Sequence, residues 1–253
     1  MSAIRTRDLV REYRLGRENR VRALAGVDLD VDAGERVAVL GRSGSGKSTL
    51  LNVVGGLDRP SGGTVAVGGT ELAALSEREL AAFRARTVGF VFQSFHLQPR
   101  YRAWENVALP LVFLGVDRRE RRRRAIDLLE ALGLGARVDH RPAELSGGEQ
   151  QRVAFARSLV AEPAVLLADE PTGNLDSETS RQVVELLRAA HDRGTTLLVV
   201  THDRELAQMT ADRVIRMSDG KIVDQPRESK TSNHLVSRRL APETLDTETL
   251  LHQ

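Results

Sequence analysis

Two segments far apart in the chain carry residue types suited to handling a phosphate group. The first is Gly41-Arg42-Ser43-Gly44-Ser45-Gly46-Lys47-Ser48-Thr49, preceded by the β-like run 36–40 and followed by Leu50-Leu51. Glycines let backbone N–H groups turn inward around a phosphate oxygen, and a helix opening at the end of the loop presents its partial positive charge to the same anion. Lys47 adds a full charge near the β and γ oxygens. Ser48 supplies a hydroxyl oxygen to Mg²⁺, a hard cation that keeps several waters and takes few protein ligands. The second segment is Asp169-Glu170, closing the apolar run 165–168. A buried strand delivers its terminal acids to the carboxyl edge of an open α/β sheet, where ligands bind. Asp169 is then expected to hold Mg²⁺, directly or through water, and Glu170 to orient the attacking water or accept its proton. Acids in this position also serve as helix N-caps, but the phosphate loop in the same chain favours the catalytic reading.

The elements that must position these groups show as alternation along the chain. Runs 4–13, 21–31 and 36–40 read as short strands separated by Gly16, Asn19 and the Asp32-Ala33-Gly34 corner, with another at 64–67 between paired glycines. From Ser76 the pattern turns helical: Ser76 and Glu79 have capping-box spacing, and Leu80, Phe83 and Val88 are assigned to one apolar face. Residues 95–159 read as mostly helix. Beyond them come a strand at 165–168, a helix at 177–192, a strand at 195–201, a helix from Asp203 and a strand at 214–217, with an Asp219-Gly220 turn into 221–223. Such β-α-β alternation predicts an α/β fold with parallel strands and helices on both faces, the helical middle (about 95–160) being an insertion. Residues 226–253 are polar and Thr/Glu-rich and read as a frayed tail, the alternative being a short docking helix at 241–251.

Composition narrows the possible functions. A chain of 253 residues with 41% hydrophobic and 28% charged content is an ordinary globular protein. With 37 Lys and Arg against 35 Asp and Glu, there is no strong electrostatic signal for nucleic acid. The absence of cysteine excludes disulfides and thiolate metal sites and permits a reducing compartment. Residues 1–7 contain no apolar leader segment, and the longest apolar stretches, 107–116 and 195–200, are too short to span a bilayer. Work at a membrane would therefore need something else as anchor.

Leu145-Ser146-Gly147-Gly148-Glu149-Gln150-Gln151-Arg152, upstream of the acidic pair, resembles the ABC signature sequence. With Gln93 after the run 88–92, Asn174-Leu175-Asp176 after the acids and His202 after the strand 195–201, the chain resembles an ABC ATPase over about residues 4–224. The resemblance implies an α/β P-loop NTPase core with a parallel sheet, an N-terminal antiparallel β subdomain and an inserted α-helical subdomain, together spanning 1–225. ATP and Mg²⁺ are the implied cofactors. Ser146, Gly147 and Gly148 open a helix and so form a second anion site, which by resemblance closes over the γ-phosphate held by the opposite subunit of a head-to-tail homodimer. Loss of that phosphate on hydrolysis then weakens the closed state. By the same resemblance Gln93 senses Mg²⁺ and the attacking water, His202 contacts the γ-phosphate, Asp176 crosses the dimer interface and Tyr13 stacks on adenine.

Residues 168–177, 91–97 and 105–107 resemble the branch that serves lipoprotein-releasing, macrolide-efflux, antimicrobial-peptide-export and cell-division permeases. That branch implies an integral membrane permease as partner, with membrane contact made through it on the cytoplasmic face. Phe95, Leu97, Tyr101 and Trp104 are expected either to meet a short cytoplasmic helix of the permease or to fill the helical subdomain's core. The arginine run 118–124 reads as a solvated helix face, with a lipid-headgroup contact as the alternative. Glu149 stands where many relatives carry Gln. Two functions fit this motor: driving a transport permease, or regulating an extracytoplasmic enzyme or sensor without transport. A soluble ABC ATPase of translation or DNA maintenance fits less well, because the chain has one motif set and no sustained heptads.

Overall fold

The computed structural model describes residues 1–16, 19–173 and 175–226, with Leu15 and Asn19 as backbone. Asn174 and the expected tail beyond Pro226, including the alternative helix at 241–251, lie outside the described residues. The two opening strands, β1 (Ser2–Leu15) and β2 (Asn19–Asp32), are 14 residues each, longer than the short runs expected. The added residues lie at the strand ends, where Ser2 pairs with Asp32, Arg14 with Arg20 and Leu15 with Asn19; these are mostly polar positions whose strand conformation comes from cross-strand pairing rather than from their own β propensity. Together with β4 (Gly62–Val67) and β5 (Thr70–Glu71), they form an antiparallel sheet of order β2-β1-β4-β5.

The second sheet has six strands in the order β10-β9-β3-β8-β7-β6. These are β3 (Arg36–Leu40), β6 (Val88–Val91), β7 (Val165–Asp169), β8 (Thr196–Thr201), β9 (Arg213–Ser218) and β10 (Lys221–Asp224). The first five run parallel. β10 turns back antiparallel to β9 through Asp219 and Gly220, whose φ values of 50° and 74° suit a primed hairpin turn. All six residues of β8 are buried, as expected of a central parallel strand covered on both faces.

Helix α1 (Lys47–Val54) lies between the sheets, where Leu50, Leu51, Val53 and Val54 join Leu9, Leu24, Val27, Val37 and Val39 in one core. The other face of the parallel sheet packs Leu166, Leu197 and Val199 on Val183, Leu187 and Ala190 of α6 (Ser177–Asp192). Helix α2 (Glu77–Thr87) starts at the expected capping box: Ser76 N–H donates to Glu79 Oε2 at 2.8 Å, and Glu79 N–H donates to Ser76 Oγ at 3.4 Å. Val88 corrects the sequence reading. It has extended φ and ψ (−123°, 125°) and opens β6 rather than continuing the helix face, as suits a β-branched side chain. Helices α3 (Ala103–Phe113), α4 (Arg118–Ala131) and α5 (Gly147–Leu159) surround an apolar cluster of their own, including Trp104, Val107, Leu111, Leu129 and Val153. Trp104 is therefore a core residue, Leu97 packs against the cluster, and Tyr101 is exposed. On α4, Arg123 and Arg124 pair with Glu120, while Arg122 lies over the Trp104 ring at 5.5 Å.

Candidate active site

The phosphate loop joins β3 to α1 and bounds a cleft of about 1310 Å³. Gly44 and Gly46 sit at φ 78° and 98°, a left-handed conformation that carries no Cβ penalty in glycine. A Cβ on Gly46 would also lie 2.4 Å from the Ala23 carbonyl, so β2 crosses directly behind the loop. The N-terminus of α1 has no side-chain cap and no acid in its first turn, which leaves its N–H groups suited to an anion. The Lys47 ammonium, although buried, donates to the carbonyls of Gly41 at 2.8 Å and Arg42 at 3.0 Å. Two of its three donors are thus engaged within the loop.

Across the cleft the end of β7 presents the two acids. Ser48 Oγ donates to Asp169 Oδ1 at 3.1 Å, bringing together both expected metal-binding groups. Burial, followed by the neighbouring charge of Glu170, pushes the Asp169 carboxyl above its ordinary range. A hydroxyl and a carboxylate are the hard oxygen donors Mg²⁺ takes, and the excess negative charge is the condition a cation relieves, so the residues fit that ion. Glu170 is held at a left-handed φ of 44° by two backbone bonds, its N–H to Val200 O at 2.9 Å and Gly173 N–H to its carbonyl at 3.0 Å. Such a conformation costs a non-glycine residue about 1 kcal/mol and persists only where surroundings impose it. Thr201 Oγ1 donates to Glu170 Oε2 at 2.9 Å, and His202 Nδ1 lies 2.8 Å from Oε1. The carboxylate can only accept, so Nδ1 carries the hydrogen. Gln93 lines the same cleft, its Nε2 3.0 Å from where a Cβ on Gly173 would stand.

The cleft has walls the motifs did not announce: Val21, Arg22 and Ala23 of β2, and Met217, Ser218, Asp219 and Gly220 at the β9–β10 turn. The turn is tied to both sides, since Gly220 N–H donates to Ser45 O at 3.0 Å and Ala25 N–H to Gly220 O at 2.9 Å. Tyr13 is absent from the cleft's described lining. Its hydroxyl donates to Asp58 at 2.6 Å and the Arg11 guanidinium lies 4.5 Å from its ring centroid, while its strand partner Val21 does line the cleft.

The remaining expected residues form a second group on another surface. Ser146 caps α5 in a complete capping box: its N–H donates to Glu149 Oε2 at 2.8 Å, and its Oγ accepts from Glu149 N–H at 3.2 Å. Arg137 Nε donates to the other Glu149 oxygen at 2.8 Å. Arg137 first, then the Ser146 N–H, hold the Glu149 carboxyl down to about 2. Asp176 caps α6, accepting from Glu178 and Thr179 N–H and from Thr179 Oγ1, which lowers its pKa. Thr179 also lies 3.2 Å from a Cβ position on Gly148, so the starts of α5 and α6 adjoin. The cleft's described lining includes none of Ser146, Gly147, Gly148 or Asp176. Ser146 and Gly147 are exposed.

A smaller apolar groove of about 340 Å³ lies between α2, β6 and α3, lined by Leu57, Phe90, Phe92, Pro110 and Phe113 among others. Phe113 is 73% exposed and Leu57 46%. No helix among the described residues is long and apolar enough to cross a membrane.

The ABC transporter family model matches residues 24–173. An uncharacterized ABC transporter ATP-binding protein of Thermotoga maritima is 51% identical over 215 residues, covering 85% of this chain and 91% of that one. The lipoprotein-releasing system ATP-binding protein LolD of Geobacter metallireducens is 49% identical over 223 residues, covering 88% and 98%. The macrolide export ATP-binding/permease protein MacB of Brucella melitensis is 48% identical over 239 residues; the match takes 94% of this chain but only 36% of MacB, so the chain spans about a third of that relative. Among solved structures, the ATP-binding cassette MJ0796, captured as a dimer after hydrolysis with ADP and Pi, superposes with a TM-score of 0.81 at 39% identity, covering 88% of this chain and 98% of that one.

Proposed function

The chain belongs to the ABC transporter family, as an ATPase close to the MacB and LolD branch, and from that premise we propose that two copies, associated head to tail, drive a membrane permease exporting or extruding its substrate. One observation carries the head-to-tail reading: the chain holds two anion-binding groups, the phosphate loop with its acids and the exposed start of α5, on surfaces that a single copy does not bring together. A second copy supplies the missing half. That MJ0796 forms a dimer with ADP and Pi supports a dimer here as well.

In this reading the loop and Lys47 hold the β- and γ-phosphates of ATP, and Ser48 and Asp169 hold Mg²⁺, with Gln93 reaching the ion and the water. Bound Mg²⁺ neutralises charge that develops on the phosphates. Glu170 accepts the proton of the attacking water; each of its oxygens already accepts one hydrogen bond and retains a lone pair for a second. Thr201 and His202 fix the direction of that carboxylate, and His202 stands where it can meet the γ-phosphate. Asp176 and Ser146 meet the partner's phosphate loop and nucleotide. The groove around Phe113 is the seat for a cytoplasmic segment of the permease, which places the protein on the cytoplasmic face of the membrane; large exposed apolar side chains around a concave site suit such a partner.

The deciding experiment combines Glu170→Gln with ATP and Mg²⁺. Sizing chromatography should show a stable dimer that forms only with nucleotide, and gentle solubilisation of cell membranes should recover an integral membrane protein with it. A variant that stays monomeric with ATP would refute the head-to-tail reading. Recovery of ribosomes or nucleic acid instead of a membrane protein would refute the permease. Phe113→Asp should lose the membrane partner while keeping basal ATP turnover.

A further inference from the structure

The start of α5 carries an internal conflict. The helix N-terminus and the Ser146 hydroxyl form the half-site that meets a γ-phosphate, yet Glu149 places a carboxylate in the same first turn, bonded to Ser146 at both ends of the capping box. A carboxylate favours the helix dipole but repels a phosphate arriving at the same terminus. Arg137 stands against that carboxylate. Its Nε meets Glu149 Oε1 at 2.8 Å, while Oε2 faces Ser146, so the two oxygens divide between charge compensation and capping. The Glu149 side chain is 18% exposed and that of Arg137 44%, so water screens the pair in part and its coupling is modest. Ser146 Oγ accepts the Glu149 N–H, which leaves the hydroxyl's own hydrogen as a donor.

Arg137 is itself anchored. It ends the 3₁₀ turn Gly135–Arg137, between buried Leu134 and partly buried Val138, both packed in the helical cluster. Trp104 N–H donates to Val138 O at 3.1 Å and Ala103 N–H to His140 O at 2.7 Å, and Arg102 pairs with Asp139 at 2.7 Å. The segment from Arg137 to His140 is thus strapped to the start of α3, with one guanidinium reaching across to α5.

We propose that Arg137 is a positioning residue for ATP-driven dimer closure: it neutralises Glu149 and holds it as the cap of Ser146, so that the start of α5 can receive the partner's γ-phosphate. This rests on the head-to-tail reading. Neither residue lines the nucleotide cleft, so binding of ATP to a single copy is untouched.

The test uses the Glu170→Gln chain as parent, measuring its dimer dissociation constant in ATP and Mg²⁺ by sedimentation, and in parallel the affinity of the monomer for a fluorescent ATP analogue. Arg137→Ala should weaken the dimer about threefold per site, or on the order of tenfold for a symmetric dimer with two sites. Analogue affinity should stay unchanged, which also reports that the variant is folded. Arg137→Lys should recover most of the loss. Glu149→Gln, which keeps a capping oxygen and removes the charge, should dimerise at least as well as the parent, and in that background Arg137→Ala should no longer matter. Dimerisation of Arg137→Ala equal to the parent, a defect that persists with Gln at position 149, or weakening by Glu149→Gln alone each overturn the proposal. A parent that forms no dimer with ATP overturns the head-to-tail reading and the proposal with it.

Discussion

Glu170 takes its direction from the neighbouring strand: Thr201, at the end of β8, and His202, just beyond it, occupy one carboxylate oxygen each. Thr201 is fully buried and its hydroxyl also accepts Asp203 N–H at 3.0 Å, so it links the acid to the cap of the following helix. Thr201→Val should therefore lower kcat by about tenfold, the effect of losing roughly one hydrogen bond's orientation at the proposed base, with KM for ATP nearly unchanged; Thr201→Ser should restore turnover. Asp169 gives a stability prediction with a definite sign. Its folded-state pKa lies above that of the unfolded chain, so the folded form binds more protons in between, and stability falls as pH rises through that interval. Asp169→Asn removes this loss. At neutral pH without metal or nucleotide it should melt higher than the parent, while losing Mg²⁺-dependent hydrolysis. A melting point below the parent's would contradict the assigned cost of burying that charge.

At the scale of elements, Asn106 shows how a buried polar side chain pins a loop. It is fully buried in α3; its Oδ1 accepts Gln98 N–H at 2.6 Å, and its Nδ2 donates to the carbonyls of Gln98, Tyr101 and Arg102. The chain between Gln93 and α3 is thereby fastened at its far end. Asn106→Leu leaves those groups without their partner and should cost about 2 kcal/mol, measurable as a lower midpoint in urea with an unchanged slope. Local signals of this kind explain what the sequence made legible. The Ser76 and Glu79 box and the helix Ser177–Asp192 appear where their caps and periodicity place them, and the phosphate loop and acidic pair were visible because each is contiguous. The ends of β1 and β2 were hidden because residues such as Arg14, Arg20 and Asp32 are in strand only by pairing across the hairpin, and Val88 by a helix passing straight into a strand. Thr201, Arg137 and the β2 wall of the cleft had no signal of their own, because their partners are 31, 12 and more residues away and meet them only after folding.

Across the whole molecule, the nucleotide cleft joins the two sheets: β2 belongs to one, the phosphate loop and the β9–β10 turn to the other. Binding there should raise the stability of both as a unit. At a hundredfold excess over Kd, Mg²⁺ and ATP should contribute about 2.7 kcal/mol, or roughly 5–10 °C in melting temperature; Lys47→Ala should abolish the shift, and calorimetry would show the antiparallel sheet melting separately if the joint were weak. The separation of the two half-sites also has a genetic consequence. In the proposed head-to-tail dimer, a copy with Lys47→Ala cannot serve its own loop but still offers a sound α5 terminus, whereas a copy with Ser146→Arg has the reverse defect. Each alone is dead at both sites of its dimer. Co-expressed, they pair with each other in about half of the dimers, and every mixed dimer concentrates both lesions in one site and leaves the other whole. Two inactive alleles should therefore complement, and the recovered activity should rise and fall with the product of their abundances.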